Sequence, residues 1–360
     1  MVNINKDFWK NKKVIITGHT GFKGSWLLIW LIKLGAKVYG ISISDGIEHN
    51  LFNSIKRKLS NKFVHKLIDI RDLGKVSSAI SEIKPDVIIH MAAQALVQES
   101  YKDPIKTWST NLMGTINLLE CTSKIKNPCS FVCVTTDKVY ENKNWCYGYR
   151  ENDNLGGIDP YSASKAAAEI AIKSWRKSFC GENNFEISKL GIASARAGNV
   201  IGGGDYAENR LIPDCFRAYV KNNSIKVRNP NSIRPWQFVL EPLYGYLLLA
   251  ERLYQNPKIY SSEYNFGPNN ESNKTVLEVV EHISSYWNVS YIIQHERDLF
   301  HEATILNLDI SKAKKSLQWE PVWGFEESIK KTTQWYKNIK SGYDPYTECL
   351  NNIKSFETEN

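Results

Sequence analysis

Apolar residues occur in short, regularly spaced runs along the first 200 positions of the chain. Lys13–Thr17 is a β-branched run that ends at Gly18, and this pattern predicts a buried strand. The next apolar positions have helical spacing over residues 22–35, with Gly35 placed to cap the helix. The same reading predicts further strands over residues 36–43, 64–70, 85–90, 130–136 and 187–195, and long helices over residues 104–124 and 161–179.

Strands that alternate with helices predict an α/β fold with a Rossmann-like, doubly wound parallel sheet covered on both faces. The alternation ends near residue 200. We therefore expect one domain over residues 1–200, with some later segments returning to it, and a smaller mixed α/β lobe over residues 201–345. Residues 346–360 are polar and are predicted to form a frayed tail.

Composition and charge indicate which classes of protein the chain does not resemble. The first 13 residues are charged and lack the apolar run of a secretory leader, and residues 26–34 are too short to span a bilayer. Seven cysteines without paired spacing predict reduced thiols, a cytoplasmic location and no metal site. The net charge of +8 is spread along the chain. It suits an anionic small substrate, and without a recognisable nucleic-acid module we expect no nucleic-acid partner.

A glycine-rich segment joins the first predicted strand to the first predicted helix. Such glycines allow a tight turn, let a pyrophosphate approach the backbone and let the helix pack on the sheet. The spacing differs from the usual dinucleotide fingerprint, and plain turn glycines are the alternative. The expected cofactor-binding residues here are Gly18, Thr20, Gly21, Phe22, Lys23 and Gly24.

Other candidate cofactor contacts follow later strands, at the sheet edge where open α/β folds bind ligands. Asp45 could bind the adenosine ribose and favour NAD over NADP, or it could be an exposed loop residue. Asp69 and Ile70 could meet the adenine. Small residues would lie against the cofactor at Ala92 and Ala93, followed by Gln94.

Tyr161 and Lys165 stand four residues apart on a predicted helix and therefore share one face. The lysine charge is expected to lower the tyrosine pKa from ~10 towards neutrality. Such a tyrosine can take the proton from a sugar or alcohol hydroxyl as hydride leaves the carbon. The spacing alone is a weak signal, but downstream of a glycine-rich turn it predicts an oxidoreduction site.

Several longer motifs accompany these landmarks, at residues 135–142, 155–162, 232–237, 240–243 and 301–303. Together with the glycine turn they resemble the nucleotide-sugar branch of the extended short-chain dehydrogenase/reductase family, and within it the dehydratases that act on CDP-glucose. The resemblance runs from about residue 7 to about residue 340. It departs from the family at residues 44–50, where a proline-containing segment is usual, and this departure bears on Asp45.

The resemblance implies an enzyme that holds NAD and dehydrates CDP-glucose to CDP-4-keto-6-deoxyglucose for dideoxysugars, as a homodimer or homotetramer. It implies that Thr136 places the sugar 4-oxygen beside Tyr161. In the related dTDP-glucose dehydratases an Asp-Glu pair supplies acid and base. Here the pair is Asp137 and Lys138, so we expect Asp137 to protonate the C6 oxygen and Lys138 to act at C5. Alternatively, Lys138 only pairs with Asp137 or a phosphate.

Substrate anchoring is expected to be cationic and polar. Arg210, Arg228 and Arg234 suit bidentate contacts with a diphosphate, although each could be a surface salt-bridge partner. The resemblance adds Asn199 as a phosphate contact. His301 could reach the sugar or ribose, or form a structural pair with its neighbour.

Two other functions fit the same scaffold. A nucleotide-sugar 4-epimerase needs Tyr161 and NAD but no acid–base pair for C5 and C6. A non-catalytic NAD-binding sensor is possible because fold does not fix function.

Overall fold

The centre of the fold is a seven-stranded parallel sheet. The structure is a computed structural model that describes residues 2–44, 50–179, 189–294 and 306–360. Its strands are β1 Lys13–Thr17, β2 Lys37–Ser42, β3 Phe63–Leu67, β4 Val87–His90, β5 Cys129–Val134, β6 Leu190–Ala197, β7 Val200–Ile201, β8 Ile225–Val227, β9 Ile233–Pro235, β10 Gln237–Phe238, β11 Glu263–Phe266, β12 Asn273–Thr275 and β13 Tyr291–Ile293. The large sheet has the order β11-β6-β5-β4-β1-β2-β3.

Helices cover the sheet and build the second lobe. They are α1 Lys6–Trp9, α2 Phe22–Lys33, α3 Leu51–Ile55, α4 Leu73–Ile83, α5 Val97–Lys102, α6 Pro104–Trp108, α7 Gly114–Ser123, α8 Pro160–Phe179, α9 Leu211–Val220, α10 Leu240–Gln255, α11 Pro257–Tyr260, α12 Val276–Trp287, α13 Ser311–Leu317, α14 Phe325–Lys340 and α15 Pro345–Glu359. None of these described helices is long and apolar enough to cross a membrane.

Alternate residues of each strand point to opposite sides of the sheet, and both faces are buried. On β1, Val14 and Ile16 join one core, which contains α2, α10 and α15. Ile15 joins a second core with α4 and α7. The predicted doubly wound α/β fold is therefore confirmed.

The strand order reverses between β1 and β4, which are neighbours although two strands and three helices separate them in sequence. In doubly wound sheets, ligands bind outside the carboxyl ends of the strands at this point. β11 comes from the second half of the chain and pairs with β6 at the sheet edge. A strand from the later part of the chain thus completes the large sheet.

The second lobe is built from three two-stranded sheets, in which β7 pairs with β10, β9 with β12 and β8 with β13. Arg228 and Arg234, from these later segments, line the same cleft as Gly18.

Several predicted boundaries shift. The third strand ends at Leu67 rather than at residue 70, and the long helix over residues 104–124 contains a π-helical turn at Ser109–Met113 between α6 and α7. Gly35 adopts φ +81° directly after α2, which confirms its predicted role as a helix cap.

The predicted frayed tail is wrong. Residues 345–359 form α15, which begins at Pro345 after Asp344, whose carboxylate accepts from the Thr347 amide at 3.0 Å. Phe356 is fully buried and meets Trp30 edge to face with 5.9 Å between ring centroids. Cys349, Ile353 and Phe356 are spaced as a helical face, and burial of that face outweighs the polar composition of the segment.

Candidate active site

A continuous cleft of about 1490 Å³ runs between the carboxyl ends of the strands and the second lobe. Nineteen of the residues singled out from the sequence line it: Gly18, Thr20, Gly21, Phe22, Lys23, Gly24, Asp69, Ile70, Ala92, Ala93, Thr136, Asp137, Lys138, Tyr161, Lys165, Asn199, Arg210, Arg228 and Arg234. Asp45 and His301 lie outside the described residues. Gln94 does not line the cleft.

The glycine turn opens one end of the cleft. Gly18 has φ +76°, and a Cβ there would stand 2.8 Å from the Ala92 nitrogen. A Cβ on Gly24 would stand 2.2 Å from the Gly18 carbonyl oxygen. Glycine is therefore required at both positions for the turn to pack against β4 and α2.

The first turn of α2, formed by Phe22, Lys23 and Gly24, lines this end of the cleft. Its N-cap, Gly21, supplies no side-chain acceptor, and the first turn carries no acidic residue. Unsatisfied N–H groups and the helix dipole favour an anion here. The turn therefore fits the pyrophosphate of a dinucleotide.

The expected adenine contacts differ from one another. Ile70 is buried and lines the cleft. The Asp69 carboxylate accepts a hydrogen bond from the Arg71 guanidinium at 2.6 Å, and this bond holds the pKa of Asp69 below its usual range. Asp69 is thus already paired with a neighbouring cation.

Gln94 supports the loop after β4 instead of facing the cleft. Its side-chain amide donates to the Leu96 carbonyl and to the Thr107 hydroxyl, both at 3.0 Å. The Asn111 side chain accepts from the backbone N–H of Gln94 at 2.8 Å and donates to the Ser164 hydroxyl at 3.0 Å. Gln94 therefore ties this loop to the helix that carries Tyr161.

Tyr161 and Lys165 lie in the first turns of α8, both buried. Asp159 fixes the start of this helix, because its carboxylate accepts from the Ser162 amide at 3.0 Å. Lys165 Nζ donates to the Val134 carbonyl at 3.3 Å, and burial lowers the pKa of Lys165 to about 8.

The prediction that Lys165 lowers the pKa of Tyr161 is wrong for the protein groups alone. Burial raises the pKa of Tyr161 to about 12, although a hydrogen bond with Thr136 lowers it. Loss of water destabilises the phenolate by more than the neighbouring groups stabilise it. An additional cation beside the phenol is therefore needed before Tyr161 can ionise near neutral pH.

Thr136, Asp137 and Lys138 follow β5 and face Tyr161. The Thr136 hydroxyl donates to Asp137 Oδ1 at 2.9 Å. Asp137 Oδ2 is buried without a hydrogen-bond partner among the described residues, and a Cβ on Gly198 would stand 2.8 Å from it. Burial raises the pKa of Asp137, although Lys138 lowers it. A buried carboxyl of this kind is suited to hold and donate a proton.

The three arginines occupy different parts of the cleft. Arg234 is buried close enough to Asp137 for its charge to lower the pKa of that carboxyl. Arg210 binds Asp205 at 3.0 Å, and its charge lowers the pKa of Tyr161. Arg228 is exposed, 4.0 Å from an Asp214 oxygen. Arg210 therefore lies near Tyr161 and Arg234 lies near Asp137, whereas Arg228 is more exposed than either.

Sequence reasoning missed a buried ion pair behind the site. Glu169 accepts from Thr135 at 2.5 Å, from Ser194 at 2.7 Å and from Arg196 at 2.9 Å. Against burial, which would raise it, the charge of Arg196 holds the pKa of Glu169 low. The network joins α8, β5 and β6. The sequence spacing could have pointed to Glu169, since it stands one turn beyond Lys165 on the same helix.

We expect Glu169→Gln to destabilise the fold by about 3–5 kcal/mol, because it leaves a buried guanidinium without its carboxylate. Urea unfolding measures this loss. The matched control is Glu327→Gln, since Glu327 pairs with the surface residue Lys330 at 3.1 Å. That substitution should cost less than about 1 kcal/mol. Equal stabilities of the two variants would show that the buried pair does not hold the site together.

Comparison with known proteins identifies relatives over nearly the whole chain. The sequence profile of the GDP-mannose 4,6 dehydratase family matches residues 15–332. The CDP-glucose 4,6-dehydratase of Salmonella typhimurium is 46% identical over 343 residues, 95% of each chain. The UDP-glucose 4-epimerase of Mycoplasma pneumoniae is 25% identical over 91% of this chain and 97% of its own.

Solved structures share the fold. The dTDP-glucose 4,6-dehydratase of Bacillus anthracis, determined in complex with NAD, superposes with a TM-score of 0.75. It is 23% identical, over 93% of this chain and 99% of that one. The superposition therefore places the cleft described above within a known architecture.

Proposed function

The chain belongs to the GDP-mannose 4,6-dehydratase family, within the extended short-chain dehydrogenases/reductases, and on that basis we propose that it dehydrates CDP-glucose to CDP-4-keto-6-deoxyglucose. The reaction oxidises sugar carbon C4, removes water across C5 and C6, and reduces C6. The enzyme is a hydro-lyase that uses NAD and shows no net redox change.

One observation carries the choice of reaction. The buried carboxyl of Asp137, whose Oδ2 has no hydrogen-bond partner among the described residues, lies in the same cleft as Tyr161 and Lys138. A 4-epimerase has no use for a proton donor at C6 and a base at C5. The combination of groups therefore supports dehydration over epimerisation.

NAD fits the residues present. The uncapped first turn of α2 and the glycines at Gly18 and Gly24 would hold its pyrophosphate, and Ile70 would lie near the adenine. When bound, NAD accepts a hydride from C4 and later supplies one to C6, and its oxidised ring brings the positive charge that Tyr161 needs. That charge lowers a phenol pKa that protein burial alone has raised.

Oxidation at C4 depends on two hydroxyl groups. Thr136, within hydrogen-bonding reach of Tyr161, would orient the sugar 4-oxygen. Tyr161, as phenolate, would accept the hydroxyl proton as the C4–H bond breaks.

Elimination of water depends on Asp137 and Lys138. The ketone at C4 acidifies the C5 hydrogen. Lys138 would remove that proton while Asp137 donates one to the departing C6 oxygen, which leaves as water. A lysine acts as a base only in its neutral form. Reduction at C6 and reprotonation at C5 complete the reaction.

The finer properties belong to the same proposal. A homodimer is supported by an exposed apolar surface on α6, the π-helical turn and α8, which includes Ile105, Met113 and Ile170. A cytoplasmic location fits the expected reduced thiols, and a role in lipopolysaccharide precursor synthesis fits the dideoxysugar product. Arg210, Arg234 and Asn199 would hold the diphosphate and sugar.

The direct test is incubation of the purified protein with CDP-, UDP- and dTDP-glucose, followed by mass detection of the products. We expect loss of one water, fastest with CDP-glucose. An isomer of unchanged mass would identify an epimerase, and no conversion of any of the three would contradict the proposal.

A further inference from the structure

Lys23 turns its side chain into the protein, although lysines on helices usually extend to water. It is the second residue of α2 and lines the cleft. Its ammonium donates to the Tyr246 hydroxyl at 3.0 Å and stands 5.3 Å from the centre of that ring. Tyr246 is fully buried on α10. The contact therefore fixes a cation at the inner end of the cleft.

The groups around Lys23 come from every side of the reaction centre. Lys165 on α8 and Arg210 before α9 repel it, and Asp137 after β5 attracts it. Burial is the largest influence and, with the two cations, lowers the pKa of Lys23 to about 7. The first turn of a helix also disfavours a cation. Lys23 therefore faces the same space as Tyr161 and Lys165, and its charge changes near neutral pH.

We propose that Lys23, held by Tyr246, shifts the redox equilibrium of the nicotinamide bound in this cleft towards its reduced state. This inference rests on the proposed function, which places hydride exchange beside Tyr161. The oxidised ring carries a positive charge and the reduced ring does not, so a nearby ammonium disfavours the oxidised form. A dehydratase needs this bias because the reduced state must persist while water leaves the sugar.

The test measures the midpoint potential of bound NAD without sugar, by equilibration with a reference redox couple and absorbance of the reduced ring. We expect Lys23→Met to lower the ratio of reduced to oxidised cofactor about tenfold, which is about 30 mV for a two-electron couple. Lys23→Arg keeps the charge and should keep the potential close to that of the wild type.

The pH dependence adds a second readout. The charged form of Lys23 raises the potential, so the difference between wild type and Lys23→Met should shrink as pH rises through about 7. Tyr246→Phe removes the acceptor that stabilises the ammonium. It should move the same decline to lower pH without changing the potential in acid.

Equal potentials for wild type and Lys23→Met across this pH range would overturn the inference. If Lys23→Met does not bind NAD, an unchanged pH dependence in Tyr246→Phe would overturn it. If the wild type dehydrates CDP-glucose but wild type and Lys23→Met have equal potentials, only the role of Lys23 is refuted and the proposed function stands. Failure of the wild type to dehydrate any nucleotide-glucose would instead refute the proposed function.

Discussion

Tyr161→Phe should lower the turnover of CDP-glucose by roughly 100- to 10,000-fold. The substitution keeps the ring that fills the start of α8 and removes only the oxygen that accepts the C4 hydroxyl proton. The measurement is initial rate at saturating CDP-glucose, with bound NAD quantified in the same sample.

Tyr147→Phe is the matched control, since Tyr147 is 71% exposed and lies outside the cleft. It should turn over at the wild-type rate. NAD content should be the same in both variants, because the pyrophosphate site on α2 is untouched. A Tyr161→Phe protein that works as fast as wild type would refute the assignment of the proton acceptor.

Asp137→Asn and Lys138→Met should separate the two halves of the elimination. Without an acid, Asp137→Asn should still exchange the C5 hydrogen with solvent but release water roughly 100-fold more slowly or worse. Without a base, Lys138→Met should lose C5 exchange and water release together by a similar factor. Reactions run in deuterated water and read by NMR at C5 and by product mass distinguish these outcomes.

Lys143→Met provides the control for the lysine, because Lys143 is solvent-exposed and does not line the cleft. It should leave both rates unchanged. Undiminished C5 exchange in Lys138→Met would remove Lys138 from its role as base. It would favour the alternative in which Lys138 only pairs with Asp137 or with a substrate phosphate.

The parts of the fold that depend on local pattern were predictable. β1 and β5 follow from β-branched and apolar runs, and the glycine turn follows from its position between a strand and a helix. Strands that alternate with helices restrict the topology to a few arrangements. Residues after different strands therefore converge on one cleft, as predicted for Gly18, Thr136 and Tyr161.

The parts that depend on three-dimensional surroundings were not predictable. The pKa of Tyr161 follows from how much water the folded lobes exclude, which the Tyr161–Lys165 spacing does not contain. The helix over residues 345–359 depends on packing against α2, and the Gln94 side chain is held in its own loop by Leu96 and Thr107. Asp45 and His301 lie outside the described residues, so their roles stay predictions.

The most direct test of the proposed reaction follows one hydrogen atom through it. CDP-glucose carrying deuterium at C4 is converted, and the product is examined by NMR. If hydride leaves C4 and returns to C6 within one closed site, the deuterium appears in the C6 methyl group of the 4-keto product. Deuterium that stays at C4, or is lost to water, would contradict the proposed dehydration.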